Sequence, residues 1–154
     1  MLKAYVSYLD VSHSAIVSKK NLSLCYHLTL IQTQVNFEYH IESKEAYTLI
    51  NLSGILIAPN QSGELIEEFE ETIAEGTLNV IVDLSGIETM NSTGLSVLIS
   101  ILTKARNAGG EAVLANLPEK VNELMVITKL YTVFTVAESI EAAEELLNKE
   151  ETWL

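Results

Sequence analysis

Two hydroxyls and a side-chain amide stand together at Asn91-Ser92-Thr93, directly ahead of Gly94 and of an apolar-periodic run that opens at Leu95. Upstream lies the β-branched run Val80-Ile81-Val82, closed by Asp83-Leu84-Ser85-Gly86. A buried strand ending at Asp83, a short loop and a helix starting near Ser92–Gly94 would bring those polar side chains to a helix N-terminus. The first N–H groups of a helix have no intrahelical acceptor, and the aligned peptide dipoles make that end positive. A phosphate, bound there or attached to a hydroxyl, is stabilised by both effects. Asn, Ser and Thr are also the preferred N-cap residues, so Asn91 or Ser92 is expected to cap the helix whatever else it does. One serine can be both a cap and a phosphate acceptor.

The helix that begins at Ser92 is expected to turn Leu95, Leu98, Ile99 and Leu102 inward, at i, i+3, i+4 and i+7. Val97 and Ile101 fall outside that stripe. They are four residues apart, so they stack on one face beside Ser96 and Ser100, in line with Ser92. An apolar pair next to small hydroxyls reads as a contact surface; packing against a neighbouring helix is the other reading. The expected partner-binding set is therefore Asn91, Ser92, Thr93, Gly94, Ser96, Val97, Ser100 and Ile101. Lys104 and Arg106 suit the negative end of this helix, and Gly109-Gly110 terminates it.

The remaining elements follow from periodicity. Phe37, Tyr39 and Ile41 alternate with polar residues as in a half-buried strand, and a charged turn at Ser43–Glu45 leads to a second strand, Tyr47 to Leu52, ending at Ser53-Gly54. Ile55–Gly63 reads as a loop through Pro59, Asn60 and Gly63. Ser62 is placed to cap a helix with Leu65, Ile66, Phe69, Ile73 and Ala74 inward, stopped by Gly76. Val80–Leu84 lacks alternation and fits a central strand buried on both faces. Glu111 to Asn116 is a further buried strand. Pro118 begins a helix with Val121, Leu124, Met125 and Thr128 on one side. Val133–Val136 is a last strand, and Ser139 or Glu138 opens a terminal helix with Ile140, Ala143, Leu146 and Leu147 inward. The order β-β-α-β-α-β-α-β-α implies an α/β fold with a mixed, mostly parallel sheet of four or five strands and about four helices, mainly on one face.

Composition narrows the function. The chain has 154 residues, 48% hydrophobic and 19% charged, which suits one domain with a proper core and not a disordered chain. Lys3, Lys19 and Lys20 against Asp10 put residues 1–35 at +2, so the remainder carries −14 of the −12 total. A domain this acidic repels phosphate backbones and anionic lipid, which argues against nucleic acid and bare membrane and for a protein partner. Acidity also simply keeps a protein soluble. Cys25 is the single cysteine, and His13, His27 and His40 lie apart without thiol or acidic companions at ligand spacing, so neither a disulfide nor a metal site is expected. Lys19-Lys20 ahead of Leu22 to Ile31 faintly resembles a secretion signal, but His27 interrupts it and no small-residue cleavage site follows. No run of about 18 apolar residues occurs, and a cytoplasmic protein is expected.

From about Asn36 to Glu150, roughly three quarters of the sequence, the chain resembles the STAS-domain family, in particular the bacterial anti-sigma factor antagonists. That family's motif is a strand ending in D-L-S, then D-S-S-G-L or D-S-T-G-L opening a helix. Here these stand as Asp83-Leu84-Ser85 and Asn91-Ser92-Thr93-Gly94-Leu95, followed by Ala108-Gly109-Gly110 before a strand, a helix near Glu119–Thr128, and Lys129-Leu130-Tyr131-Thr132-Val133-Phe134. The resemblance implies a partner switch without catalysis or cofactor. The unphosphorylated domain would bind an anti-sigma factor, often also a serine kinase of the histidine-kinase ATP fold, and so free a sigma factor. Phosphorylation at Ser92, with Thr93 a secondary acceptor, would break the complex, and a phosphatase would reset it. Asn91 departs from the usual Asp of the motif: it keeps the capping geometry and removes a charge beside the acceptor.

Two alternatives differ in class. One is a non-switching accessory subunit of a transport or signalling assembly, against which the Ser92-Thr93 pair argues. The other is an enzyme or nucleotide-binding domain. No GxGxxG or GxxxxGK[ST] is present, no Ser/His/Asp or Cys/His set adjoins the motif, and Glu67, Glu68, Glu70 and Glu71 read as a solvated helix face. Residues 1–35 have no counterpart in simple family members and form an extension, 36–150 the domain, and 151–154 a tail. The extension is expected to be dispensable for folding, so a chain starting at Asn36 should still melt cooperatively; loss of the cooperative transition would place the segment within the domain.

Overall fold

The computed structural model describes residues 36–151. The expectations for residues 1–35 and for residues 152–154 fall outside that range.

Strand β1 (Phe37–Ser43) and strand β2 (Thr48–Leu56) form an antiparallel hairpin, in register from Phe37↔Gly54 to Ser43↔Thr48. Strands β3 (Val80–Met90), β4 (Ala112–Ala115) and β5 (Thr135–Ala137) then add in sequence order, each parallel to its predecessor. The connections carry helices α1 (Gly63–Ala74), α2 (Ser92–Asn107) and α3 (Glu119–Ile127), and α4 (Ile140–Glu151) follows β5. Three successive crossovers that step in one direction with one hand must lay their helices on one face. The main core accordingly joins Leu65 and Phe69 of α1, Leu98 and Ile101 of α2, and Val121 and Met125 of α3 to Ile50, Val82, Leu84 and Leu114. The alternate strand residues Leu49, Ile81, Val113, Ala115 and Ala137 face the other way and are covered by Ala143 and Leu147 of α4. As expected, Val80, Ile81, Val82 and Leu84 lie wholly buried in the middle strand.

Two strands run further than their punctuation suggests. β2 continues to Leu56 and β3 to Met90, pairing Ser53↔Gly86, Gly54↔Ile87 and Leu56↔Met90 through register shifts. The expected stops at Gly54 and Gly86 are instead places where backbones approach closely. A Cβ on Gly54, whose φ is +83°, would fall 1.9 Å from the Asn36 carbonyl oxygen; one on Gly86 would fall 2.7 Å from the Ser53 Cβ. Glycine inside a strand often marks a bulge or such an approach. Part of the expected 55–63 loop is therefore strand, and the rest holds a single 3-10 turn, Pro59–Gln61.

Smaller differences have local causes. Ser62 occupies the N-cap of α1 but makes no side-chain cap bond, because its backbone is already αR (φ −111°, ψ 0°) and not extended. Ser139 does cap α4, its hydroxyl accepting from Ala142 N–H at 3.2 Å. Strand β5 begins at Thr135, two residues later than expected, because Leu130–Thr132 forms a second 3-10 turn entered through Lys129 at φ +58°.

Tyr47, just ahead of β2, ties α4 to the sheet by donating its hydroxyl to the Glu144 carboxylate. This bond first, and then desolvation, push the phenol up from its ordinary value of 10.0 to about 12. Its folded-state value is the higher one, so the stability from this contact is fully present below the unfolded value and disappears as pH rises through the folded one. Thermal melts across that alkaline window should show a steeper loss of stability for the native chain than for Tyr47→Phe. Parallel curves would mean the contact contributes nothing.

Candidate functional site

Helix α2 starts where the motif implies. Asn91 is its N-cap, in extended backbone (φ −123°, ψ −168°), and its side-chain Oδ1 accepts from Thr93 N–H at 2.9 Å and Gly94 N–H at 3.3 Å. The cap is thus the asparagine, which leaves the next side chain unengaged. Ser92 is the first helical residue and is exposed, and among the described residues its hydroxyl has no hydrogen-bond partner. Thr93 is half-buried. Gly94 is buried against β2 and Met90: a Cβ there would meet Met90 Cγ at 2.3 Å and the Leu56 carbonyl oxygen at 2.8 Å. Glycine lets the first turn of α2 sit directly on the end of β2, and it lines no surface.

The contact face expected around Val97 and Ile101 is corrected by the packing. Val97 is 5% exposed and Ile101 0%, both inside the main core, whereas Ile99, expected inward, is 38% exposed. Gly94, Leu95, Val97, Leu98, Ile101, Leu102 and Ala105 form one broad buried arc, rotated from the expected stripe towards Val97 and Ile101. The middle helix of three on one face packs on the sheet below and on α1 beside it, so it buries more than a narrow stripe. The outward face is instead Ser92, Ser96, Ile99 and Thr103, with Ser100 at its margin. Its hydroxyls donate back along the helix, Ser96 to the Ser92 carbonyl at 3.0 Å, Ser100 to that of Ser96 at 2.9 Å, and Thr103 to that of Ile99 at 2.7 Å. Such bonds satisfy the hydroxyls internally and leave a small, uncharged, mildly apolar strip running from Ser92.

Asp83-Leu84-Ser85 has a structural role. The Asp83 carboxylate accepts from Ser85 N–H at 3.1 Å, from the Ser85 hydroxyl at 2.9 Å and from Asn116 Nδ2 at 2.9 Å. It thereby pins the residue after β4, which lies at φ +53°, a conformation asparagine tolerates better than most side chains. Lys104 pairs with Glu70 of α1, and Arg106 with Glu111 at 3.0 Å, so the basic end of α2 is spent on neighbouring elements. No group of three His, Cys, Asp or Glu able to hold a metal occurs among the described residues. Sequence reasoning missed Ile57, whose carbonyl accepts from Asn91 Nδ2, and Gln61, whose side chain holds the Ile57 turn; their distance along the chain offers no signal.

With this geometry in view, comparison with known proteins decides the family. The family model for the STAS domain matches residues 38–143, most of the chain. The chain belongs to the STAS-domain family. This STAS domain is 31% identical over 103 residues to BtrV of Bordetella bronchiseptica, named a candidate anti-sigma factor antagonist, covering 62% of this chain and 89% of that protein. Its fold matches the crystal structure of an anti-sigma factor antagonist from Mycobacterium paratuberculosis with a TM-score of 0.64, at 17% identity over 73% of this chain and 95% of that one. It also matches the Bacillus cell fate determinant SpoIIAA in its phosphorylated form, with a TM-score of 0.57 at 16% identity, over 71% and 99% of the two chains. Among the described residues, no helix of this STAS domain is long and apolar enough to cross a membrane.

Proposed function

We propose that this STAS domain is a cytoplasmic anti-sigma factor antagonist whose binding to an anti-sigma factor is switched by phosphorylation of Ser92. The observation that carries the reading is the state of Ser92: an exposed hydroxyl at the first position of α2, left unengaged because Asn91 does the capping. The name borne by BtrV supports the antagonist role, and the phosphorylated form of SpoIIAA supports a modified state of this fold. The partner is an anti-sigma factor that is also a serine kinase, and a phosphatase restores the hydroxyl. Thr93, half-buried, is the slower acceptor. The docking strip is Asn91, Ser92, Ser96, Ile99 and Ser100; Gly94, Val97 and Ile101 support it from below.

Co-expression with each candidate kinase of the same genome, followed by intact-mass measurement, tests this. One kinase should add a single phosphoryl group at Ser92, and Ser92→Ala should reduce the addition to slow modification of Thr93. A phosphoryl group that persists in Ser92→Ala and maps away from Thr93, or none with any kinase, would remove the switch.

A further inference from the structure

Asn91 makes one contact that capping does not require. While its Oδ1 receives the two helix N–H groups, its Nδ2 donates to the carbonyl of Ile57 at 3.1 Å, 34 residues away in sequence. The backbone donors on one side and the carbonyl on the other fix which end of the amide is nitrogen. Ile57 begins the short turn after β2. That turn is closed on itself by Gln61, whose Oε1 accepts from Ile57 N–H at 3.0 Å and Ala58 N–H at 2.7 Å and whose Nε2 donates to the Ile55 carbonyl at 3.0 Å. Gln61 gives the turn its shape; Asn91 is the side chain that fastens it to α2. The Ile57 side chain is 36% exposed, and Pro59 and Asn60 beside it are exposed too.

We propose that Asn91 is a positioning residue with two tasks, and that its tie to Ile57 holds the turn beside Ser92 so that a protein partner meets Ile57 and Ser92 as one face. The purpose of the tie rests on the function proposed above; the tie itself does not. Asp at position 91 would retain the acceptor for Thr93 and Gly94. It has no proton to give Ile57, and its second carboxylate oxygen would oppose the Ile57 carbonyl. Ser would also cap, but its side chain is too short to span both groups. The Asn91 amide therefore separates two properties that a helix cap alone leaves linked.

Hydrogen exchange on the full chain, read residue by residue, tests this without a partner. In Asn91→Asp the amides of Thr93 and Gly94 should stay slow while those of Ile57 and Ala58 exchange about tenfold faster, which corresponds to roughly 1.4 kcal/mol. Asn91→Ser should show the same split. Exchange at Ile57 and Ala58 within about twofold of the native rate in both variants would overturn the proposal. So would a joint acceleration of all four amides, which would make the order of the turn a consequence of the cap and not of a separate tie. For the shared face, Ile57→Glu leaves both amide side chains in place and should weaken binding of the kinase that modifies Ser92 by at least about tenfold. Unchanged affinity would take Ile57 out of the face. If Ser92 proves unmodified while the exchange split holds, the switch fails and the tie stands.

Discussion

Ser92→Asp is expected to melt with the native chain and to lose more than about a hundredfold in affinity for the anti-sigma partner. The two halves of this result have different physical origins. A phosphoryl group brings about −1.5 to −2 charges at neutral pH, and Ser92 lies at the positive end of a 16-residue helix. The helix dipole stabilises charge there by roughly 0.3–1 kcal/mol, so the fold tolerates the modification. A partner lying on Ser92, Ser96 and Ile99 must desolvate the charge, and the strip offers it no cation, since Lys104 and Arg106 are engaged with Glu70 and Glu111. A penalty of ~3 kcal/mol would account for the hundredfold loss. Ser92→Ala should bind as the native chain does and resist modification. Calorimetric titration of both variants is the measurement, repeated with phospho-Ser92 because aspartate carries less charge than phosphate. Undiminished binding by the phosphorylated domain would leave the switch without support.

Ile101→Ala is expected to destabilise the domain by roughly 2–5 kcal/mol, the range for truncating a large buried aliphatic side chain. Ile99→Ala, one helix face away, should change stability by no more than about 0.5 kcal/mol. Ile101 is completely buried among residues of the sheet, whereas Ile99 is 38% exposed. Against a total stability of about 5–15 kcal/mol the first loss is a large fraction, visible in the midpoint of denaturant unfolding. For binding the order should reverse, with Ile99→Ala the more damaging of the two once folding is accounted for. A larger loss of stability for Ile99→Ala than for Ile101→Ala would restore the helix face that periodicity alone suggests.

The rotation of α2 shows where local reading stops. Leu95, Leu98 and Leu102 are inward on either reading, because they lie within both arcs. The edges of the arc depend on what stands beside the helix. With α1 as a neighbour, burial spreads to Val97 and Ile101, and Ile99 is left outside. Gly54 and Gly86 follow the same logic. Glycine announces an unusual backbone, but whether that is a turn or a bulge between paired strands depends on a partner far along the chain. Ser53 and Asn36 supply the answer only once β1, β2 and β3 lie side by side.

What the sequence determined by itself was whatever repeats at short range. The alternation of Phe37, Tyr39 and Ile41, the unbroken Val80-Ile81-Val82 and the order of elements point to a hairpin followed by right-handed crossovers, while the strand order that lays three helices on one face belongs to the tertiary structure. Asn91-Ser92-Thr93-Gly94 likewise marks a helix start, since capping uses atoms within four residues. Tertiary structure alone decided which residues of that helix remain at the surface, why position 94 must be glycine, and that the Asn91 amide reaches Ile57. Each of these depends on the distance between groups brought together by packing, and burial and hydrogen bonding respond to that distance, not to separation along the chain.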